Sequence, residues 1–374
     1  KILALLGFGT AGAAPLALDP TFGTGGQVTT RIARATSDEE ARAVVVQPDG
    51  KTVIVGACGN LFSPGDICVA RYTNAGAFDL SFGNFGIFQM TVPVGVASMR
   101  AVTLDRGRII VAGSCGAELA QDFCVLRLNA NGTPDTTFNA TGLVITPVGT
   151  LDDQAHAVAM DGDRILVAGE CEVAGSTNTC LVRYTDAGTR DGTFGNDGKA
   201  LLALSPAQDG AYALALIEGQ AYAGGRCGAT AFCVIRLTAA GALDATWANG
   251  GRLQYDIGVN AARVTALAAS GSRLLAAGLC TTGANADFCL LRIDSTGQPD
   301  TTLNGTGLLV IPMGTGEDLL TGLTLVGSAT FLSGSCDSGA RKVFCLVSIT
   351  EAGGVNGAFN GGAVLLDDFG GTYA

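Results

Sequence analysis

The sequence predicts an all-β fold, a six-bladed β-propeller of four-stranded blades with one disulfide in each blade. Three observations carry this prediction: a phrase of nine residues recurs at nearly constant spacing, each repeat contains four short apolar runs, and each repeat contains two cysteines. The composition agrees, because 48% hydrophobic and 15% charged residues exclude a disordered chain and 55 glycines require many turns.

The recurring phrase is first seen as LDPTFGTGG at residues 18–26. Its successive copies are 60, 56, 56, 53, 56 and 56 residues apart, so seven copies enclose six repeats. The propeller is therefore predicted to span residues 18–366, with repeats starting near residues 19, 79, 135, 191, 244 and 300. The acidic position of the phrase is held by Asp19, Asp79, Asp135, Asp191, Asp244, Asp300 and, altered, Asn356.

Four apolar runs in the first repeat indicate the strands of one blade. They cover residues 27–30, 42–46, 52–57 and 67–72. The pair Asp49-Gly50 separates the second run from the third, and Asp-Gly is a hairpin signal because the tight turn needs positive φ. The runs are almost continuously apolar, as expected when neighbouring blades cover both faces of a sheet.

The twelve cysteines form six pairs, one in each repeat, with none left over. The members of a pair flank a variable loop between two predicted strands, where a hairpin brings them to disulfide distance. Six disulfides imply an oxidising compartment; a zinc site is the weaker interpretation, because zinc needs four close ligands and the chain has one histidine. The expected bonds are Cys58–Cys68, Cys115–Cys124, Cys171–Cys180, Cys227–Cys233, Cys280–Cys289 and Cys336–Cys345.

An arginine and an aspartate eight residues apart recur in five repeats. Both members change in the sixth, where Ser348 and Asn356 take their places. This joint change indicates a charge-assisted hydrogen bond between strand and turn, because losing one partner alone would leave a charge unpaired. A ring of anion-binding arginines is the alternative interpretation. The pairs are Arg71/Asp79, Arg127/Asp135, Arg183/Asp191, Arg236/Asp244 and Arg292/Asp300.

These elements resemble the bacterial delta-sixty repeat family. The resemblance rests on LDPTFGTGG from Leu18, AVVVQPDGK from Ala43 and RLNANG from Arg127, and it covers the chain from Leu18 to about Leu366. It implies a propeller-like fold in a secreted or surface bacterial protein, with no agreed activity and no catalytic residues to carry over. The cysteine pair in every repeat and the degenerate last copy depart from the family's pattern.

The two ends of the chain lie outside the predicted propeller. Residues 1–17 begin with a lysine and continue without charge, but this stretch is shorter than a membrane-spanning helix needs. It fits either the later part of a secretory signal peptide or an apolar arm. Residues 367–374 form a predicted tail. Because the apolar stretch is short, no transmembrane anchor is expected. The net charge of -11 would repel nucleic acid, so no nucleic-acid partner is expected.

The sequence contains no recognisable catalytic, cofactor-binding or metal-binding motif, so neither an enzyme activity nor a cofactor is expected. The single histidine occupies a position whose residue changes from repeat to repeat, which argues against a catalytic base. The acidic pairs at residues 152–153, 317–318 and 367–368 lack the ligand spacing of a calcium loop and are expected to be solvated. The variable position holds Arg42, Arg100, His156, Tyr212, Thr265 and Thr321.

Seven copies of the first apolar run accompany six sets of the other three, so one copy is surplus. Residues 27–30 and 363–366 both qualify. A spare strand or the apolar amino-terminal segment would provide a way to join one molecule to the next. The sequence therefore favours an extracellular structural protein, a homopolymer subunit whose partners are copies of itself. The alternative is a secreted monomeric propeller that binds or adheres to a surface ligand, and an enzyme is the least favoured function.

Overall fold

The computed structural model describes residues 19–30, 39–60, 63–92, 95–257, 261–281, 283 and 285–367. The predicted amino-terminal segment, residues 1–17, and all but the first residue of the predicted tail lie outside these ranges. The described residues fall into two compact units, residues 19–202 and residues 203–367. No helix among them is long and apolar enough to cross a membrane.

Unit 1, residues 19–202, contains three four-stranded antiparallel sheets, which are blades 1 to 3. In each blade the strands pair in chain order. Blade 1 consists of β1 (Glu39–Val46), β2 (Thr52–Asn60), β3 (Ser63–Tyr72) and β4 (Ile87–Met90). Blade 2 consists of β5 (Val96–Asp105), β6 (Arg108–Ala117), β7 (Ala120–Leu128) and β8 (Leu143–Thr146). Blade 3 consists of β9 (Asp153–Asp161), β10 (Arg164–Val173), β11 (Ser176–Tyr184) and β12 (Lys199–Leu202).

Unit 2, residues 203–367, contains blades 4 to 6 with the same strand order. Blade 4 consists of β13 (Asp209–Ile217), β14 (Gln220–Cys227), β15 (Ala231–Leu237) and β16 (Arg252–Asp256). Blade 5 consists of β17 (Ala262–Ser270), β18 (Arg273–Thr281), β19 (Ala286–Ile293) and β20 (Leu308–Ile311). Blade 6 consists of β21 (Leu319–Val326), β22 (Ala329–Asp337), β23 (Lys342–Ile349) and β24 (Leu365–Asp367), and a 3-10 turn at Asn360–Gly362 precedes its last strand.

Every blade is built from one continuous stretch of chain. The apolar run after each recurring phrase was expected to be the first strand of its own repeat. After every phrase but the first, the structure has it as the fourth strand of the preceding blade. At the carboxyl end, β24 fills the fourth place of blade 6. Residues 27–30 form no strand within the described chain. The surplus copy is therefore the amino-terminal one.

Side chains of the second and third strands form the cores between neighbouring blades within each unit. Val55 of blade 1 and Val111 of blade 2 belong to one buried cluster, and Val125 of blade 2 and Val167 of blade 3 belong to another. In unit 2, Leu290 of blade 5 packs in a cluster that also contains blade 6 residues. This packing explains the nearly continuous apolar runs, because both faces of a middle strand are covered.

Each blade carries one disulfide, which joins its second strand to its third. The Cα atoms of the bonded cysteines are 5.4–5.9 Å apart in all six bonds, and no cysteine is free. The fold class predicted from the sequence is confirmed: six four-stranded propeller blades with one disulfide in each.

Candidate functional site

The five arginine–aspartate pairs lie where the third strand of a blade meets the turn formed by the recurring phrase, here called the motif turn. In four pairs the arginine Nε lies 2.8–3.0 Å from the aspartate Oδ2, and in blade 4 Nη2 of Arg236 takes this place at 2.8 Å from Asp244. The other four pairs are Arg71–Asp79, Arg127–Asp135, Arg183–Asp191 and Arg292–Asp300.

Each pair is the centre of a larger arrangement, here called the clamp. In blade 2, Asp135 Oδ1 accepts hydrogen bonds from the Thr137 hydroxyl at 2.6 Å and the Thr137 amide at 3.0 Å. The Arg127 guanidinium lies 4.7 Å from the ring centroid of Phe138 and donates at 2.7 Å to the backbone oxygen of Asp186, which belongs to blade 3. The clamp thus fixes a turn and also ties one blade to the next within unit 1.

A second cation contacts the clamp aspartate in four blades. Examples are Lys51 Nζ at 3.0 Å from Asp79 Oδ2 and Arg164 Nε at 2.6 Å from Asp191 Oδ2. The sequence analysis did not identify this residue. Its signal in the sequence is a basic residue at or just before the start of the second strand, which occurs in four of the six repeats. The four residues are Lys51, Arg108, Arg164 and Arg273.

The clamp keeps its aspartates ionised. Burial raises the pKa of the Asp191 carboxyl, but hydrogen bonds from the Thr193 side chain and amide, the charge of Arg183 and a hydrogen bond from Arg164 lower it to about 2. In blade 6 the arrangement is neutral: Asn356 Nδ2 donates to Ser348 Oγ at 3.2 Å. The geometry of these side chains is that of an architectural brace.

A second set of side chains lies on the first strands. In every blade the pairing between the first and second strands shifts by one residue at the same place, which leaves one extra residue in the first strand, a β-bulge. The extra residue is the one at the variable position of the sequence. These bulge positions are Arg42, Arg100, His156, Tyr212, Thr265 and Thr321.

A glycine of the second strand stands opposite each bulge. A Cβ on Gly169 would collide with the backbone oxygen of Gln154, and the other five glycines have the same close approach to a first-strand carbonyl. The sequence signal is a Gly-x-Cys triplet in every repeat, because the glycine lies two residues before the first cysteine. The six glycines are Gly56, Gly113, Gly169, Gly225, Gly278 and Gly334.

In unit 1 the bulges bring together a polar group, here called the bulge cluster: Arg42, Arg100, Gln154, His156 and Glu170. Arg100 Nη1 donates to Gln154 Oε1 at 2.6 Å and lies 3.2 Å from His156 Nδ1. His156 Nε2 lies 3.5 Å from a carboxylate oxygen of Glu170. The single histidine, which sequence reasoning set aside, is thus part of a network that joins blades 2 and 3.

In unit 2 the bulge positions hold an aromatic ring and two hydroxyls. The guanidinium groups of Arg226 and Arg263 lie 6.0 Å and 5.7 Å from the ring centroid of Tyr212, which is within cation–π range. The Thr265 hydroxyl donates to the backbone oxygen of Leu320 at 2.9 Å. The same backbone feature therefore presents different chemistry in different blades.

All three acidic pairs were predicted to be solvated, and for one member of each of two pairs this is wrong. Asp153 and Asp318 are fully buried. Asp153 Oδ2 accepts from the Val148 amide at 2.7 Å, and Asp318 Oδ2 accepts from the Met313 amide at 2.9 Å. The loop that leads into a first strand has amides without strand partners, and the carboxylate satisfies them. Among the described residues, no group of three or more histidine, cysteine, aspartate or glutamate side chains is arranged to hold a metal.

Three passages of the chain, residues 47–82, 107–138 and 163–194, match the family described as "Domain of unknown function (DUF5122) beta-propeller". Each passage runs from the hairpin before a second strand to the aromatic residue of a motif turn, so it includes the clamp arginine and aspartate. No curated protein matches the chain.

Several solved structures are similar to this chain at low identity. One is an alpha-L-arabinofuranosidase from Clostridium thermocellum, at 10% identity and a TM-score of 0.37, covering 74% of this chain and 96% of that one. Another is Sqt1 from Chaetomium thermophilum, bound to the N-terminus of a ribosomal protein, at 13% identity and a TM-score of 0.46, covering 85% and 86%. A quinonprotein alcohol dehydrogenase-like protein from Bacteroides thetaiotaomicron has 10% identity and a TM-score of 0.43, covering 88% and 66%. The three matched passages support β-propeller repeats in this part of the chain.

Proposed function

We propose that the protein is a secreted binding module that recognises its ligand through the bulge positions. One observation carries the proposal: six positions share one backbone geometry, yet they hold arginine, histidine, tyrosine and threonine. The clamp positions, in contrast, repeat the same residue types in five blades. Constant residues support the fold, and a changing set of polar and aromatic side chains on a fixed frame is suited to recognition.

The disulfides support an extracellular location. Twelve cysteines in six bonds indicate an oxidising environment. We place the protein outside the cell or on its surface, and the resemblance to the delta-sixty repeats supports a bacterial source. The proposed role is binding without catalysis.

A crystallographic fragment screen on the oxidised protein tests this role. Small polar and aromatic fragments are expected to collect against Arg100 and His156 in unit 1 and, separately, against Tyr212 in unit 2, because a recognition site concentrates accessible polar groups beside apolar surface. Density for fragments that cluster elsewhere, with the bulge positions empty, would contradict the proposal. Soaks at several fragment concentrations separate saturable sites from weak surface contacts.

A structural homopolymer is the second candidate, and the surplus amino-terminal copy favours it. Residues 19–28 belong to no blade, yet the Gly23 amide donates to the Ala75 oxygen of blade 1 at 2.8 Å. The Gly83 amide makes the same bond to the Asn131 oxygen of blade 2 at 2.8 Å. Blade 1 thus binds a motif turn from outside the blades, and a motif turn from a second molecule would bind there by displacing residues 19–28.

Electron microscopy of the native secreted protein, prepared without reductant, tests the polymer. Filaments with one molecule per repeat would support the structural role over the binding role. Dispersed particles at concentrations well above those in the native material would remove the polymer and leave the binding proposal.

A further inference from the structure

We infer that residues 19–28, here called the cap, cover a docking site on blade 1. When the cap leaves, this site binds the motif turn of blade 6 of a second copy of the chain. The docking site consists of the turn at residues 73–77, which accepts a hydrogen bond from the cap, and of the buried side chains of Ile54, Ala70 and Tyr72, which pack against the cap. The bulge positions take no part in this site, so the inference goes beyond the proposed binding role.

Motif turns dock on the next blade through one repeated hydrogen bond. The amide of the residue that follows the buried side chain of the turn donates to a carbonyl oxygen in the turn after the third strand of the next blade. In the five cases that the structure describes, the bond is 2.8–3.2 Å long and the donor residue has φ between +47° and +59°. The donors are Gly83 and Asn139 in unit 1, Ala248 and Asn304 in unit 2, and Gly23 of the cap, which donates to Ala75 of blade 1. Blade 1 therefore carries the same acceptor turn as the later blades.

The turn of blade 1 has the shape that a docked motif turn requires. A Cβ on Gly76 would lie 2.7 Å from the Gly23 amide nitrogen and 2.8 Å from Val28 Cγ2, so glycine leaves the room that the cap occupies. In blade 2 a Cβ on Gly132 would lie 2.7 Å from the Gly83 amide nitrogen. Val28 also packs against the apolar side chains of the docking site. The cap thus docks on blade 1 as the turn of blade 1 docks on blade 2.

The cap differs from the turn of a blade in having no clamp arginine. Asp19 accepts from the Thr21 amide at 2.9 Å and from its hydroxyl at 2.6 Å, as a clamp aspartate does, but the residue eight positions before it is Ala11. In blade 2 the clamp arginine adds a second bond to the next blade, from Arg127 Nη1 to the Asp186 oxygen at 2.7 Å. The cap is therefore held by its turn amide and its apolar contacts, and it can leave without unfolding a blade.

The motif turn of blade 6 fits the site that the cap would leave. Blade 6 is the last blade of the described chain, so no later blade follows to receive its turn. The turn keeps the docking geometry, because Phe359 is buried and Asn360, at the donor position, has φ +45°, close to the +48° of Asn139. Blade 6 also resembles the cap in lacking a clamp arginine, since Ser348 and Asn356 form its neutral pair. The chain thus carries an acceptor on its first blade and a matching donor on its last.

The cap competes with a second copy because it is part of the same chain. Residues 31–38 join it to β1, and a segment on a short linker acts at an effective concentration on the order of millimolar. A second copy at micromolar concentration cannot displace it, so the intact chain should be monomeric at that concentration. Without the cap, a donor on one copy and an acceptor on the next form a heterologous contact, which can join copies head to tail.

Sedimentation velocity of the oxidised full chain over a range of concentrations tests the inference. Val28→Asp should open the site, because a carboxylate cannot remain packed against the apolar side chains there. The mass of this variant should rise with concentration to that of a dimer or larger, whereas the intact chain should stay monomeric. Val44→Asp is the matched control, since Val44 lies on blade 1 but is 53% exposed, and it should also stay monomeric. Gly23→Pro opens the site in a second way, because proline has no amide hydrogen to donate.

A second substitution identifies the partner. In Val28→Asp/Asn360→Pro the association should be lost, because proline at the donor position of blade 6 removes the amide hydrogen and cannot adopt positive φ. A peptide of residues 19–30 added to Val28→Asp should return it to the monomer by filling the site. The same peptide with Val28→Asp should be at least tenfold less effective. Melting temperatures of all variants show whether the blades remain folded.

Each remaining outcome overturns the inference. If Val28→Asp and Gly23→Pro are folded but monomeric at every concentration, the uncovered site does not bind a second copy. Association that persists in the Asn360→Pro double variant means that another segment is the partner. Equal association of Val44→Asp means that the cap has no special role. None of these results bears on the binding role, which the fragment screen at the bulge positions decides.

Discussion

At the scale of single residues, the clamps place ionised groups in a largely buried environment. Arg127 has no exposed surface and Asp135 is 5% exposed. A buried pair of this kind adds little net stability over neutral packing, but removing one partner leaves a charge without compensation and costs about 3–5 kcal/mol. Blade 6 carries Ser348 and Asn356 in these positions, which shows that a neutral pair is compatible with the blade.

The first prediction uses blade 6 as a template for blade 2. Arg127→Ser alone should lower the free energy of unfolding by about 3 kcal/mol, because Asp135 loses its closest cation and keeps Arg108 at 3.7 Å as its remaining ion-pair partner, beside its hydrogen bonds from Thr137. The double variant Arg127→Ser/Asp135→Asn should recover at least about 1 kcal/mol of this loss. Urea denaturation of the oxidised proteins gives the comparison. A double variant less stable than the single one would contradict the charge-pair account.

The second prediction concerns acid. The clamp holds the pKa of its aspartates below the ordinary value near 3.8, to about 2 for Asp191, so the folded state releases their protons more readily than the unfolded chain. This stabilisation is complete above pH ~4 and is lost as the pH falls from about 4 to about 2. Melting temperatures measured across this range should fall steeply, and less steeply in Arg183→Ser/Asp191→Asn.

The buried aspartates outside the clamps do not confuse this test. Burial raises the pKa of Asp153 and Asp122, so the folded chain takes up their protons above pH ~4 and gains stability there as the pH falls. A melting temperature that stays constant between pH 4 and pH 2 would show that the clamp carboxylates are not specifically stabilised.

At the scale of elements, the repeated bulge is the feature that places side chains. An extra residue in the first strand pushes the backbone toward the second strand, and only glycine leaves room there. Because this pairing recurs in all six blades, the bulge is a part of the blade design.

The third prediction tests this close approach. Gly169→Ala should lower the free energy of unfolding by about 1–3 kcal/mol, because its methyl group would meet the Gln154 carbonyl and force the two strands apart. Gly192 is the matched control, since nothing lies within 4 Å of a Cβ added there. Gly192→Ala should change stability by less than about 0.5 kcal/mol. Equal effects of the two substitutions in thermal denaturation would mean that the bulge does not require glycine.

Periodicity made most of the fold predictable at this scale. The recurring phrase, the hairpin turns and the cysteine pairs are local patterns, and local patterns are enough to define four-stranded blades and their disulfides. The blade to which the fourth strand belongs was not predictable from the sequence. An apolar run after a turn can pair with the strand before the turn or with the strand that follows, and the sequence does not show which pairing forms. Asp153 and Asp318 were misjudged for a related reason: adjacent acidic residues in a loop look alike whether they face solvent or cap buried amides.

The candidate site was less predictable than the fold. The arginine and aspartate positions could be found because two residues change together in blade 6. The sequence showed the bulge positions only as a variable position of the repeat, since a bulge is a property of pairing between strands and its occupant differs in chemistry from blade to blade. The Gly-x-Cys triplet was the available signal, and it became interpretable only beside the strand register.

At the scale of the whole molecule, repetition separates two kinds of position. Clamp residues, motif-turn residues and the bulge glycines recur with the blades and are needed for folding. The bulge positions recur in geometry only, which is why we propose their side chains for ligand recognition. Within unit 1 the docked copy at residues 19–28 adds a seventh motif turn without adding a blade, which makes it a candidate contact for a second molecule.

The most direct test of this separation is a saturation-mutagenesis measurement of folding stability on the displayed, oxidised protein, with protease resistance as the readout. The account predicts that most substitutions at Arg42, Arg100, His156, Tyr212, Thr265 and Thr321 change stability by less than about 0.5 kcal/mol, whereas most substitutions at the clamp residues and bulge glycines cost at least about 1 kcal/mol. Equal intolerance at both sets would contradict it, because the bulge side chains would then be architecture and no longer available for recognition.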